Sequence, residues 1–529
     1  MNLLEPNILF PLLPFFLYAE THFRIPGLYS RLFKQEPEIL VDVPHRLQQQ
    51  QDLPILLMVK DSDRFPVKIE KLLIRIKDKE FTFSINQELH QALWHQVFSL
   101  RLPAEWSGSL TVQAAVHLCL GKRQKIIYND NFPGASHAPF AVEVDQNPLP
   151  GSDRCFWADL HCHSAFTNDQ VEFGPPLEVL AIMAAAIGLD VVAVTDHSYD
   201  LDDRLDDYLV NDPQLNKWRS LRQSLAELNQ SQPVTLIPGE EVSTGNHRGD
   251  NVHLLILNDP VFYSGHGDSG EVWFQTKPQT PAAQLIKTCS AGTAVFAAHP
   301  ASQPPFPQRL FLRRGKWSNQ DYALPGLHGL QIWNGEGARG FEQGIKDWIR
   351  QLLNGRRLSI IAGNDSHGDF NRVRHIKIPF WSILESAHHV FGRVRTGIFC
   401  GSSKIQDIID ALREGKSFIS NGPFAQIWIN QQGVGETAAL TEATITISAS
   451  SSDAFGFISR VELVVGDVDK KQEFPRRLSV PQACLHFRQS LPITSLPRSG
   501  YIRLQVVSVK EGLYYHCLVN PIYLGAKKV

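Results

Sequence analysis

The stretch Pro175–Ser198, PPLEVLAIMAAAIGLDVVAVTDHS, sets a helix pattern directly against a strand pattern. Two prolines open it, at positions where a missing N–H costs a helix nothing, and Gly188 closes the apolar run as a C-terminal cap. The run that follows, Asp190–Thr195, is short and β-branched with no polar alternation, which suits a strand buried on both faces. It stops abruptly at Asp196 and His197. A helix, then a buried strand, then polar residues at the strand's end is the repeating unit of an α/β protein.

Working outward, the unit recurs from Phe156 to about Ser420. Helix patterns with a terminal glycine are TPAAQLIKTCSAG, GFEQGIKDWIRQLLNG and SSKIQDIIDALREG. Between them lie the apolar runs VTLI, VHLLIL, TAVFAA, GLQIW and LSIIAG. The flanks differ in texture. Before residue 150, and again after Asn421–Phe424, short alternating runs such as KIEKLLIRI, EFTFSI, ATITISAS and RVELVVG read as antiparallel strands. Asp145–Asp153, DQNPLPGSD, reads as a turn-rich linker. The expected organisation is a β-rich unit over 1–150, an α/β unit over 151–422 and a β-sandwich-like unit over 423–529.

Totals narrow the field. The chain has 529 residues, too many for one ordinary core. Its net charge of -3, with acids and bases interspersed, gives no broad field for nucleic acid. Seven scattered cysteines, with no CxxC, exclude a zinc ribbon and fit a reducing, cytoplasmic compartment. The greasy opening MNLLEPNILFPLLPFFLYAE is broken by prolines and too short to span a bilayer, so it reads as an apolar arm packed on a domain. Oligomeric state stays open.

Polar residues collect where the apolar runs stop. His161 and His163 end FWADL; Asp196 and His197 end VVAVT; Glu240 and Glu241 follow VTLIPG; His299 ends VFAA; Asp365 and His367 follow LSIIAG. His253 stands instead at the head of its run. A single strand-end histidine is commonly a satisfied core residue. Strand ends in parallel α/β proteins gather into one rim, however, so these side chains would converge. Imidazoles and carboxylates without thiolates suit Mn, Fe or Zn.

The ordered set DLHCHS, GLDVVAVTDHS, IPGEEVST with HLLIL, AAHP and GNDSHG resembles the PHP family, named for polymerase and histidinol phosphatase. The likeness covers about Phe156 to Pro423. The flanking β regions, and REGKSFISNGPF before the second of them, resemble PHP metallohydrolases of the carbaryl-hydrolase type. The resemblance implies a distorted (β/α)7 barrel holding two or three divalent ions. It implies a first ion on His161, His163, Glu241 and Asp365, and a second sharing Glu241 with His253 and His299. A third would take His197, His367 and an acid near Asn168, which in this chain is Asp169 one residue later. Glu241 is preferred to Glu240 because GEEVS matches Gly-x-Glu-x-Ser.

The implied activity is a phosphoesterase acting on a small phosphomonoester or nucleotide through a hydroxide bridging two ions. Alternatives are a carbamate, ester or amide hydrolase at the same centre, or a non-catalytic binding scaffold. Asp196 is expected to orient ligands or water, and His197 to act either as a ligand or as a general acid. Arg372 and Arg374, close behind the DxH motif, are candidates for contact with an anionic small-molecule substrate. The basic, aromatic insertion Gln308–Trp317, QRLFLRRGKW, reads as a lid over the site, and His247 as a substitute ligand should the register slip.

Overall fold

A computed structural model describes residues 36–525, apart from 49–50, 132–136, 168–173, 208–209, 268–275, 305, 336–339, 373–374, 379–380, 385–388, 440–442 and 494–495. The expected (β/α)7 barrel is not the architecture. Strand makes up 44% and helix 15%, so the chain is mostly β. The central strands do not form a closed ladder of parallel neighbours. Their order runs Ser359–Gly363, Gly329–Asn334, Ala294–Ala297, Asn251–Leu257, Thr235–Gly245, Val191–Val194, Phe156–Cys162, Arg395–Ile398, Ser417–Ser420. Asn251–Leu257 is antiparallel to both neighbours, and Phe156–Cys162 is antiparallel to Arg395–Ile398.

The same sheet continues past residue 422. Ser417–Ser420 pairs with Leu513–Val519, which leads into Gly500–Lys510 and Phe457–Asp467. A second C-terminal sheet, Phe424–Ile429, Ala443–Ser450 and His486–Ile493, shares its apolar core with the first. Residues 36–150 form a three-stranded and a six-stranded sheet around their own core.

The central sheet curls until the end of Ser359–Gly363 meets the end of Phe156–Cys162. His161 O accepts from Asn364 N (3.2 Å) and Asp365 N (2.7 Å), and His163 N donates to Ser366 O (2.9 Å). Close approach explains a glycine here: a Cβ on Gly363 would lie 2.6 Å from the His161 Cβ and backbone N. Asp159, wholly buried, staples the junction. It accepts from Asn364 N (3.1 Å), Asn364 Nδ2 (2.7 Å) and Gly392 N (3.0 Å), while burial pushes its carboxyl up to about 6.

The helix Leu177–Ile187 forms as its pattern predicts. It is buried on most of its circumference because it lies between the central sheet and the N-terminal unit, whose Leu40, Leu56 and Met58 share its cluster. Gly188 ends it at φ 86°, donating to Ala184 O and Ala185 O. An L side chain in that conformation costs about 1–2 kcal/mol. Gly188→Ala is therefore expected to lower stability by that amount in urea denaturation. An unchanged midpoint would mean that this helix end carries no such constraint.

Candidate metal centre

Six segments deliver the site. In Phe156–Cys162 and the residue beyond, His161 and His163 lie two apart and turn the same way, their ring centroids 5.3 Å apart. Cys162 points oppositely, into the apolar core. In Thr235–Gly245 the alternation separates the two glutamates. Glu241 faces the imidazoles. Glu240 turns away, accepts from Trp218 Nε1 (2.8 Å) and Tyr263 N (3.2 Å), and is pushed by burial up to about 8.

His253 reaches the same place because its strand is antiparallel. Its head, not its tail, lies at the mouth. Register sets His253 opposite Ser243, so Glu241 is its diagonal neighbour on the same face. The contact, His253 Nδ1 to Glu241 Oε1, is 2.5 Å.

Glu241 is the hub, buried to 1% exposure. Its Oε2 lies 3.2 Å from His161 Nε2, 3.4 Å from His163 Nε2 and 3.2 Å from His197 Nδ1. Its Oε1 lies 2.9 Å from His299 Nε2. Asp365 Oδ1 completes one group at 3.3 Å from His161 Nε2 and 3.1 Å from His163 Nε2. His367 stacks on His163 at 4.1 Å between centroids, beside His197. Among the described residues, three overlapping sets have ligand atoms close enough to share an ion: His161, His163, Glu241 and Asp365; His163, His197 and His367; His197, Glu241 and His253. Such histidine and acid clusters could bind a metal.

The donors fit that purpose. His161 Nε2, both nitrogens of His197 and Glu241 Oε2 are buried yet make no hydrogen bond of acceptable geometry. Buried polar atoms are seldom left so, and several converging on one point could hold a cation. The free nitrogen of His161 is set by a partner on the far side of its ring. His161 Nδ1 meets Gln331 Oε1 at 2.9 Å, leaving Nε2 for the cluster. Gln331 Nε2 donates to Asn334 Oδ1 (2.8 Å), and Asn334 Nδ2 to Asp365 Oδ2 (3.0 Å). Ligands oriented by such a chain keep their geometry.

Electrostatics follow the packing. Burial raises the Glu241 carboxyl, but the His253 and His161 imidazoles outweigh it and hold the group well below its usual range. Asp365 is likewise held well below, and burial of His163 is outweighed by hydrogen bonds to Asp365 and Glu241, which lift it well above. Two of the residues adopt left-handed backbone, His299 at φ 29° and Asp365 at φ 52°. Strain of that kind persists where surrounding structure dictates it, commonly at functional sites.

Asp196 acts on the loop rather than on the cluster. It accepts from Ser164 N (2.7 Å), Ser164 Oγ (2.7 Å) and Thr167 N (3.1 Å), holding the turn that follows His163. Asp196→Asn substitutes a donor for one acceptor there. Bound-metal affinity is expected to fall about 10–100-fold, the usual loss for an outer partner. Wild-type affinity in a competitive chelator titration would contradict this role.

Other expected residues fall elsewhere. Arg372 does not reach the site. It is buried, with Nη1 2.6 Å from Asp130 Oδ2 and Nη2 3.3 Å from Asp369 Oδ1. His247 is paired with Asp321 at 3.0 Å and is in none of the ligand sets. Asn168, Asp169, Arg374 and the N-terminal arm lie outside the described residues.

A cation at the site comes instead from the basic insertion. Arg314 Nη1 lies 2.8 Å from His253 Nε2. The insertion is tied down over Leu312–Gly315. Asn251 N donates to Arg313 O (2.9 Å), Gly315 N to Asn251 O (2.8 Å), and Asn251 Nδ2 to Leu312 O (2.8 Å). Arg314 and Gln331 were both open to detection. The first sits in a conspicuous basic stretch, and the second is the one polar residue interrupting the apolar run GLQIW.

No family model and no curated protein matches the chain. Solved structures with weak overall likeness include a β-glucuronidase from Parabacteroides merdae, at 11% identity over 93% of this chain and 64% of that one, TM-score 0.19. A β-D-mannosidase from Dictyoglomus thermophilum aligns at 9% identity over 92% and 66%, TM-score 0.23. The chain thus spans about two thirds or less of these proteins' length, and scores this low carry no argument for fold or activity.

Proposed function

We propose that the chain is a metal-dependent hydrolase with a PHP-type ligand set, cleaving a phosphomonoester or nucleotide. The observation that supports this reading most is the convergence of His161, His163, His197, Glu241, His253, His299, Asp365 and His367, from separate strands, with buried donors turned toward one point. Two or three divalent ions bound there, Mn, Fe or Zn, would polarise the scissile group and supply a water nucleophile at neutral pH. In this reading His161, His163, Glu241 and Asp365 would hold one ion, and Glu241 would also serve a second set with His197 and His253. His197 serves as a ligand rather than a proton donor, since both its nitrogens are buried within the cluster. Gln331 and Asn334 fix ring and carboxylate orientation. Arg314 brings positive charge to the mouth, which favours an anionic substrate.

The test is elemental analysis of the purified protein, then turnover of p-nitrophenyl phosphate, bis-p-nitrophenyl phosphate and naphthyl esters with added Mn. Bound metal with fastest turnover of the monoester is expected. Preference for the naphthyl esters would transfer the reaction to carboxylic or carbamic esters. Absence of both metal and turnover would leave the scaffold reading. Chelation should also lower the melting temperature, because an ion bound only by the folded chain stabilises it.

A further inference from the structure

A cavity of about 600 Å³ opens beside the cluster, lined by residues of the stretch 306–318 and by Asn246, His247, Arg248 and Asp250. Its charge is lopsided: Arg248, Arg309, Arg314 and Lys316 line it, against one acid, Asp250. Its apolar wall is Phe306, Leu310 and Trp317. Phe306 and Leu310 are four apart on the short helix Phe306–Phe311, so they share a face, and they are 73% and 59% exposed. Large apolar side chains left that open at the lip of a cationic cavity are unusual for surface that meets only water.

Arg314 joins the cavity to the cluster, lining the one and reaching His253 in the other. The wall is fixed from behind by the backbone bonds of Asn251, and Gly315 packs so closely on Asp250 that a Cβ would stand 2.5 Å from the Asp250 Cβ. A preformed recess of this size, mixing apolar surface with a few polar groups, is what a small-molecule subsite requires.

We propose that this cavity is the subsite for the part of the substrate that is not cleaved: a flat apolar ring carrying its own anionic group. The ring lies against Phe306, Leu310 and Trp317, and the anion is met by Arg309, Lys316 and Arg248, with Arg314 between the two halves of the molecule. The assignment rests on the proposed hydrolase for its meaning as a substrate subsite, but its binding chemistry is testable without turnover.

Isothermal titration calorimetry of the metal-free protein with 2-naphthalenesulfonate, and with neutral 2-naphthalenesulfonamide, reads that chemistry. The sulfonate is expected to bind at least tenfold more tightly. The exposed charge reversals R309E and K316E together should remove that preference, and Phe306→Ala should weaken both probes alike. R248E provides a second reversal if the first pair fails to fold. Equal affinity for the two probes, or a preference that survives the reversals, would overturn the subsite. If the preference holds and no ester is turned over, the cavity stands and the hydrolase falls. If esters are cleaved but the probes bind equally, the reverse follows.

Discussion

Glu241→Gln is expected to strip the protein of metal and to reduce turnover about a thousandfold or more. The size follows from position. Outer partners of metal ligands cost about 10–100-fold when changed. Glu241 is not an outer partner: both its oxygens face imidazoles, Oε2 toward His161, His163 and His197, Oε1 toward His253 and His299. An amide of the same shape keeps the volume but removes the charge and turns an acceptor into a donor aimed at those rings. Losing several kcal/mol of charge stabilisation corresponds to about three decades in rate. Glu240→Gln is the paired control. The Glu240 carboxyl, pushed up to about 8 by burial, favours its protonated form at neutral pH, so the amide resembles that form. Metal content and turnover should be retained in E240Q and lost in E241Q, with circular dichroism showing both folded. Equal metal and equal rates in the two variants would remove the cluster from the chemistry.

That contrast was legible because strand alternation is strict: one residue of slip reverses a side chain. The convergence of distant histidines was legible for a related reason, since all of them but His253 close an apolar run and such runs stop at the same side of a sheet. The architecture was less so. The segment between Gly245 and Asn251 is five residues, too short for the crossover that parallel neighbours need. It makes a hairpin, and its brevity was a signal for one. The antiparallel pairing of Phe156–Cys162 with Arg395–Ile398 had no such signal, because pairing partners far apart in sequence leave no local mark. For the same reason the continuation of the sheet through Ser417–Ser420 into Leu513–Val519 could not be read from texture, which changes at residue 422 while the ladder does not. Arg372 was misplaced by proximity in sequence: five residues after His367 it is already across the boundary with the N-terminal unit.

Arg372→Ala should accordingly act on stability first and on substrate binding hardly at all. The guanidinium is 4% exposed and lies 2.6 Å from Asp130 Oδ2, a residue of the N-terminal unit that is itself buried. Burial would lower the arginine's proton affinity, but Asp130 and Asp369 outweigh it and hold it well above the ordinary value. Removing one partner of such a pair leaves buried charge uncompensated and costs about 3–5 kcal/mol. Asp42 adds a pH dependence. It accepts from Phe370 N (2.9 Å) and Asn371 N (3.1 Å), and burial pushes its carboxyl up to about 7 from 3.8, against the lowering charge of Arg372. Its folded value exceeds its unfolded one, so the stability it contributes is fully present below about 4 and is lost as pH rises through about 7. Above that point Asp42 is ionised and leans on Arg372; below it the interaction vanishes. The destabilisation by Arg372→Ala should therefore be larger in urea denaturation at pH 8 than at pH 6. Because the loop 368–372 leads directly from His367, metal affinity should decline with stability, while KM for p-nitrophenyl phosphate at saturating metal stays near the wild-type value. An arginine that contacted substrate would give the opposite pattern: an unchanged denaturation midpoint and a raised KM. That result would return Arg372 to the mouth of the site and detach the N-terminal unit from the loop it is inferred to hold.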